Sequence, residues 1–217
     1  KYFIEFGELK PNERVLDVGC GIGRMAVPLT KYLDKRGSYE GFDIVALGID
    51  WCKKEISPRY SNFHFQLADM FNKNYNPNGR HKASEYTFPY ENESFDFAFL
   101  TSVFTHMLPQ DMEHYFCEIA RVLKKGGRCL ITFFLLNKES LQLIDTRKST
   151  LKFKYDFREY RTINSKIPED AVSYDEAFIF DLYEKYGLKI KQPNHYGSWC
   201  GRSNFLSYQD IIVASKR

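Results

Sequence analysis

The sequence predicts a single α/β domain in which a doubly wound, largely parallel sheet carries helices on both faces. Strand-like and helix-like segments alternate along the chain, and this pattern is typical of parallel sheets. A length of 217 residues suits one domain with a full core. A glycine-rich turn directly after the first strand predicts a ligand site at the carboxyl edge of the sheet.

Seven segments have the composition of strands, because each is a short apolar run or alternates apolar and polar residues. Five precede the chain's last third and two lie near its end. In order they are 15–18, 39–44, 62–67, 96–101, 128–136, 188–191 and 208–214.

Three segments have helical spacing of their apolar residues. The first, 24–33, follows the glycine-rich turn. The second opens at Pro109, which loses no hydrogen bond in a first turn, and Gly126-Gly127 is expected to stop it. The third begins near Ser173, where Ser-Tyr-Asp-Glu matches a capping box, and ends at Gly187.

Two insertions interrupt the alternation, each after the carboxyl end of a strand, where open α/β sheets bind ligands. The first insertion, 71–87, is polar and contains Asn76-Pro77-Asn78-Gly79, a clear turn. It is equally compatible with a substrate-side role and with a plain surface excursion. The second insertion, 137–172, has mixed charge and weak periodicity, and we expect it to form a partial lid over the substrate.

The run Val-Leu-Asp-Val-Gly-Cys-Gly-Ile-Gly at 15–23 ends the first strand with Asp17 and then places glycine at every second position. Glycines let the backbone turn sharply and approach a ligand, and a following helix end would favour an anionic group. We therefore expect a nucleotide-like ligand with an anionic tail. Residues 21–26 also fit the looser Gly-x-Gly-x-x-Ala dinucleotide fingerprint, although Arg24 breaks the full glycine register.

This run resembles motif I of the class I S-adenosylmethionine-dependent methyltransferases, of the type 11 or type 25 kind, whose signature is acid-x-Gly-x-Gly-x-Gly. Residues 120–127 resemble the family's Arg-x-Leu-Lys-Pro-Gly-Gly run, with Lys125 replacing the proline. The ordered likeness covers residues 10–136. It implies a Rossmann-like sheet of seven strands with the last strand antiparallel, one domain over 1–217, and S-adenosylmethionine as cofactor.

Acidic side chains end the second and third predicted strands. Asp43 can accept both ribose hydroxyls of a nucleoside, with Glu40 and Asp50 as rivals. The resemblance implies that Asp69 accepts the adenine amino group while Met70 packs on the ring. The predicted cofactor-binding residues are Asp17, Gly19, Cys20, Gly21, Gly23, Asp43, Ile44, Asp69, Met70, Thr101 and Ser102.

His106, just after the fourth strand, is the predicted general base for an acceptor whose reacting atom carries a proton. The competing interpretation is a histidine that caps or packs the next helix. Tyr196, Trp199 and Arg202 stand with His195 in the predicted hairpin turn. They could stack on a planar substrate or pair with its carboxylate or phosphate, or simply pack the hairpin.

Motifs that the sequence lacks, together with its low net charge, reduce the number of possible functions. No Asp/Asn-Pro-Pro-Tyr/Phe motif follows the fourth strand, which argues against amino-directed DNA methyltransferases, and a net charge of +3 predicts no nucleic-acid or membrane partner. Five cysteines without a Cys-x-x-Cys pair favour the cytoplasm, and scattered histidines predict no metal. The chain is thus expected to methylate a small-molecule or sugar-like acceptor. A nicotinamide-dependent oxidoreductase and a non-catalytic partner subunit remain the alternatives.

Overall fold

The computed structural model describes residues 1–217. Its strands and helices follow one another along the chain, and short 3₁₀ turns lie between some of them. In order they are α1 (Tyr2–Glu5), β1 (Arg14–Val18), α2 (Ala26–Leu29), β2 (Ser38–Asp43), α3 (Ala46–Glu55), β3 (Phe63–Leu67), β4 (Phe95–Leu100), α4 (Pro109–Val122), β5 (Leu123–Phe133), β6 (Leu135–Leu136), α5 (Lys138–Asp145), β7 (Tyr155–Asp156), β8 (Tyr160–Thr162), β9 (Val172–Asp175), α6 (Glu176–Lys185), β10 (Leu188–His195) and β11 (Asp210–Lys216).

The larger sheet contains seven strands in the order β10-β11-β5-β4-β1-β2-β3. The five strands from β3 to β5 across the sheet pair in parallel, whereas β11 pairs antiparallel with both β5 and β10. The predicted Rossmann-like fold and its antiparallel last strand are therefore confirmed. All parallel strands end at one edge, and this edge carries the loops described below.

Apolar side chains cover both faces of this sheet, because side chains alternate between faces along a strand. Leu16 and Val18 of β1 belong to a buried cluster of 29 residues that packs against α4 and α6. Val15 belongs to a second cluster of 17 residues under α1, α2 and α3. None of the helices combines the length and the apolar composition that a membrane span requires.

The helix predicted over 24–33 is wrong in length. Only Ala26–Leu29 is α-helical, and turns surround this single turn. Pro28 has no N–H group, so it cannot donate to the Arg24 carbonyl and continue a regular hydrogen-bond ladder. The glycine-rich turn therefore leads into a single helical turn and not into the long helix that the sequence predicted.

Two other boundaries also differ from the sequence prediction. The second helix ends at Val122, before the expected glycine pair, because β5 already begins at Leu123. The third helix is capped by Asp175, whose carboxylate accepts the Ala177 and Phe178 N–H groups. The predicted cap, Ser173, lies instead within β9 and is buried there.

The second insertion contributes β7, β8 and the first residue of β9 to a small sheet with the order β6-β9-β8-β7, which the sequence did not predict. Its members are strands of two to four residues, too short to show periodicity. The first insertion lies against it, and the Asn74 amide donates to the Asp170 carboxylate at 3.1 Å. The two insertions therefore meet beside the carboxyl edge of the large sheet.

Candidate functional site

A cavity of about 500 Å³ lies at the carboxyl ends of β1, β2 and β4. The glycine-rich turn forms one wall, the end of β2 another, and the first insertion a third. The segment after β4 closes it. The lining residues are Val18, Gly19, Gly21, Ile22, Phe42, Asp43, Ile44, Val45, Met70, Phe71, Asn72, Tyr75, Ala83, Thr101, Ser102, Val103, His106, Met107 and Tyr115.

The glycine-rich turn needs glycine at two positions for different reasons. Gly19 has φ +80°, and a Cβ there would lie 2.5 Å from Cγ2 of Val103. Gly21 has φ +53° and borders the cavity, with no atom within 4 Å of where a Cβ would stand. A larger residue would therefore displace Val103 at the first position. At the second position there is room for a side chain, and the positive φ is what favours glycine.

Asp43 joins the turn to the end of β2. Its Oδ2 accepts the Gly21 N–H at 2.7 Å and its Oδ1 accepts the Val45 N–H at 2.9 Å. Each carboxylate oxygen has a second lone pair, so the side chain can still accept two hydroxyl hydrogens from a ligand in the cavity. Neither rival acid, Glu40 nor Asp50, lines this cavity.

Asp17 lies beneath the turn rather than on the cavity wall, and its side chain is 1% exposed. Burial raises the pKa of its carboxyl to about 8; the hydrogen bond from the Tyr39 hydroxyl opposes this rise and the charge of Asp43 adds to it. Its Oδ1 has no hydrogen-bond partner. Cys20 lies beside it, and burial raises the pKa of that thiol.

The predicted adenine side of the site is only partly assembled. Ile44 and Met70 line the cavity, and the Tyr115 hydroxyl donates a hydrogen bond to the Met70 sulfur at 3.2 Å. Asp69 does not line it. Its carboxylate pairs with the Arg80 guanidinium, which holds the pKa of Asp69 below its usual range.

His106 lines the cavity from a 3₁₀ turn after β4. Its Nδ1 lies 2.9 Å from the backbone oxygen of Glu169 in the second insertion. A carbonyl oxygen only accepts hydrogen bonds, so Nδ1 carries the hydrogen and Nε2 of the neutral ring keeps its lone pair. The Tyr75 ring packs edge-on against the imidazole, with 6.3 Å between centroids.

Thr101 and Ser102 stand between this cavity and a second one of about 530 Å³, because both residues line both spaces. Ser102 adopts φ +60° at the end of β4. Its N–H donates to Thr132 Oγ1 at 2.9 Å, and its hydroxyl donates to Gln209 Oε1 at 3.1 Å. The backbone turn that separates the two cavities is therefore held by the ends of β5 and β11.

The structure does not bring Trp199 and Arg202 to either cavity. Trp199 is fully buried and its indole N–H donates to Asp210 at 2.7 Å. The Arg202 side chain is 3% exposed and pairs with Asp210 and Glu139. Its guanidinium lies over the ring of the partly buried Tyr196 at 4.8 Å, so the three residues contact one another or Asp210 and not the cavities.

The cavity fits the cofactor that the sequence predicted. Asp43 offers free lone pairs for a ribose, Ile44 and Met70 offer apolar surface for a purine, and the space beside Gly21 is open. The unpaired, buried Oδ1 of Asp17 lacks a donor that an amino group would supply. Gly23 and Cys20 belong to the glycine-rich turn but do not line the cavity. No group of three or more His, Cys, Asp or Glu side chains is placed to hold a metal ion.

Sequence reasoning missed several residues that shape the site. Tyr39, in the middle of a strand, gave no motif signal, yet its hydroxyl binds Asp17. Glu169 acts through its backbone carbonyl, which no side-chain pattern reveals. Tyr75 was included only as part of the first insertion.

A family model described as a methyltransferase domain matches residues 16–131. Phosphoethanolamine N-methyltransferase 3 of Arabidopsis thaliana is 30% identical over 139 residues, which are 61% of this chain and 23% of that protein. The chain thus spans about a quarter of the length of this curated relative.

Solved structures show the same fold. A methyltransferase from Methanosarcina mazei has a TM-score of 0.63 and 20% identity, and the alignment covers 100% of this chain and 98% of that one. The 1,6-didemethyltoxoflavin-N1-methyltransferase of Burkholderia thailandensis, solved with bound 1,6-didemethyltoxoflavin and S-adenosylhomocysteine, has a TM-score of 0.60 and 16% identity. That alignment covers 99% of this chain and 74% of the other.

Proposed function

Because this chain belongs to the class I S-adenosylmethionine-dependent methyltransferases, whose family model matches more than half of it, we propose that it methylates a small molecule at an atom that carries a proton. The acceptor is a small-molecule or sugar-like compound with a reacting amine or hydroxyl. The family match argues against the alternative of a nicotinamide-dependent oxidoreductase. The five free cysteines support a cytoplasmic location.

His106 carries this proposal. Its Nδ1 is held by the Glu169 carbonyl, and this leaves the basic Nε2 available on a ring that lines the cavity. An amine or hydroxyl must lose a proton as its new bond to carbon forms, and an imidazole is suited to accept it. A histidine that only capped the next helix would have no reason to face the cavity.

The remaining residues position the reactants. When bound, S-adenosylmethionine supplies a methyl group activated by its sulfonium. Asp43 would bind the ribose, Ile44 and Met70 would pack on the purine, and the turn at Gly19–Gly21 would lie alongside the cofactor. Fixing donor and acceptor in line can supply about 7–11 kcal/mol of the barrier in favourable cases.

We place the acceptor between His106 and the Thr101–Ser102 turn, next to the point where the second insertion contacts His106. Thr101 and Ser102 face both cavities, so an acceptor at this point can place its reacting atom in one and the rest of its body in the other. The second insertion supplies the Glu169 carbonyl and Asp170, and we propose that it shapes the choice of acceptor. Asp69 pairs with Arg80 and does not line the cavity, so we assign the purine contact to Ile44 and Met70.

A coupled assay for S-adenosylhomocysteine with a panel of acceptors tests the proposal. Phosphoethanolamine is the first acceptor to try, because a relative is named for it, followed by simple amines, amino sugars and phenols. We expect turnover with at least one of them, and a loss of about 10²–10⁴-fold in His106→Ala.

His114→Ala is the matched control, since this histidine also meets a backbone carbonyl at 2.9 Å but lies on α4 outside the cavity. It should retain turnover. Binding of S-adenosylhomocysteine without turnover on any acceptor would instead support a non-catalytic subunit. A loss under tenfold in His106→Ala would assign this histidine to packing.

A further inference from the structure

The second cavity, of about 530 Å³, meets the cofactor cavity at the Thr101–Ser102 turn. Its volume lies within the range of about 300–1,000 Å³ that is common for small-molecule sites. The helices α1 and α2 form one side of it, and the strands β5 and β11 form the other. The residues assigned to the ribose and the purine do not line it, so this space is available to another molecule.

The side formed by α1 and α2 is apolar. Ile4 and Leu29 line it, and two tyrosines contribute their rings. The Tyr2 hydroxyl donates to the Leu206 carbonyl at 2.8 Å, and the Tyr32 hydroxyl donates to a backbone carbonyl that also lies outside the lining. Because both hydroxyls are already paired elsewhere, these tyrosines offer the cavity carbon surface and not polar atoms.

The side formed by the strand ends has polar groups. The N–H of Ser102 donates to Thr132 Oγ1 at 2.9 Å, and its hydroxyl donates to Gln209 Oε1 at 3.1 Å. The Gln209 amide has a nitrogen left with which it can donate to a ligand. Thr101 adds a further hydroxyl at the junction of the two cavities. The second cavity is therefore polar beside the cofactor cavity and apolar beneath the two helices.

The lining of the second cavity contains one charged side chain, that of Lys1. This side chain is 74% exposed, and its Nζ lies 4.0 Å from Oε1 of Glu5. The carboxylate of Asp43, in the first cavity, is assigned to the ribose. A phosphate, carboxylate or ammonium on a molecule in the second cavity would therefore lose water without gaining a buried counter-charge, which is costly.

We propose that the second cavity binds the body of the methyl acceptor, and that this acceptor is an uncharged aromatic compound with a reacting hydroxyl or aromatic amine. The inference rests on the proposed function, which places the methyl donor in the first cavity. The ring packs against α1 and α2, and the polar groups at the strand ends orient the reacting atom towards the donor and His106. A charged body is rejected by the cost of burying its charge.

A naphthol and the matching hydroxynaphthoate test this selectivity, because they share the same planar rings and differ by one carboxylate. In the coupled assay, we expect the KM for the naphthol to be at least tenfold lower, which corresponds to about 1.4 kcal/mol. Phosphoethanolamine should be a poorer acceptor than the naphthol. Calorimetric titration of the naphthol into protein saturated with S-adenosylhomocysteine measures binding in the second cavity without turnover.

Ile4→Asp tests the location. Ile4 is 44% exposed, so the variant adds a carboxylate to the apolar side with little loss of buried packing. We expect the Kd for the naphthol to rise about tenfold and the affinity for S-adenosylhomocysteine to stay unchanged. Val27→Asp is the matched control, because Val27 is 46% exposed on α2 and lines neither cavity. Both affinities should match the wild type in this control.

Equal KM values for the naphthol and the hydroxynaphthoate would overturn the proposal, as would a lower KM for phosphoethanolamine than for the naphthol. An unchanged naphthol affinity in folded Ile4→Asp would also overturn it. Failure to bind S-adenosylhomocysteine would instead refute the proposed function. Naphthol binding that is weakened by Ile4→Asp and not by Val27→Asp would still support the second cavity as an aromatic site.

Discussion

Replacing Asp43 by alanine tests the cofactor site most sharply, because this carboxylate has two functions at once. It fastens the glycine-rich turn to the end of β2 through the Gly21 and Val45 N–H groups, and its remaining lone pairs face the cavity. The variant therefore removes both the ribose acceptors and two restraints on the turn. Hydrogen bonds to a charged group contribute about 1.5–3 kcal/mol.

The side chain is only half-buried, and water can solvate the released N–H groups. We therefore expect stability to fall modestly and the protein to remain folded. The affinity for S-adenosylhomocysteine should fall by about 1.5–3 kcal/mol, which is roughly 10–150-fold in Kd. Titration calorimetry measures this change, and thermal unfolding in the absence of ligand confirms that the variant is folded.

Asp50→Ala is the matched control, since this exposed acid lies on α3, seven residues after Asp43, and does not line the cavity. Its affinity should match the wild type. A folded Asp43→Ala that binds S-adenosylhomocysteine as tightly as the wild type would refute the assignment of the ribose site. A loss in Asp50→Ala equal to that in Asp43→Ala would show that general charge, not the two hydrogen bonds, governs binding.

Three further predictions concern stability and the insertions. Burial in the folded state raises the pKa of Asp17 from 3.8 to about 8, so folding takes up a proton and the free energy of unfolding falls as pH rises between these two values. Asp17→Asn removes this proton, so the free energy of unfolding measured in urea should become less pH-dependent, by up to about 1.4 kcal/mol per pH unit. Asp210→Ala should cost about 3–5 kcal/mol in urea unfolding because it leaves the buried Arg202 without this partner, whereas Glu139→Ala, which removes its exposed partner, should cost about 1 kcal/mol or less. Asp170→Ala should raise KM for the acceptor and leave S-adenosylhomocysteine affinity unchanged, because it loosens the contact between the two insertions; equal losses in both would contradict that division of roles.

The central fold could be predicted because its parallel strands are buried on both faces and leave uninterrupted apolar runs. The length of the helix after the glycine-rich turn could not be predicted in the same way. Its apolar spacing continues to Leu33, but Pro28 lacks the N–H group that a longer helix needs. Spacing reports which side chains face the core, and it does not report whether the backbone ladder is complete.

In the candidate site, too, the sequence predicted the position of some residues and not of others. Gly21 belongs to a short motif with a positive φ and Asp43 ends a predicted strand, so the motif and the strand boundary predict where they lie. Arg202 and Trp199 were expected at a substrate because charged and aromatic residues often bind ligands. They are buried instead, because Asp210, eight residues beyond Arg202, satisfies both side chains. Partners that meet only through tertiary packing leave no pattern in a single sequence.

The most direct test of the central claim is calorimetric titration of the purified protein with S-adenosylhomocysteine and, separately, with NADH. We predict saturable binding of one S-adenosylhomocysteine per chain, competition by S-adenosylmethionine, and no measurable heat with NADH. Binding of NADH with no response to millimolar S-adenosylhomocysteine would contradict the assignment of the cavity beside Gly21 and Asp43.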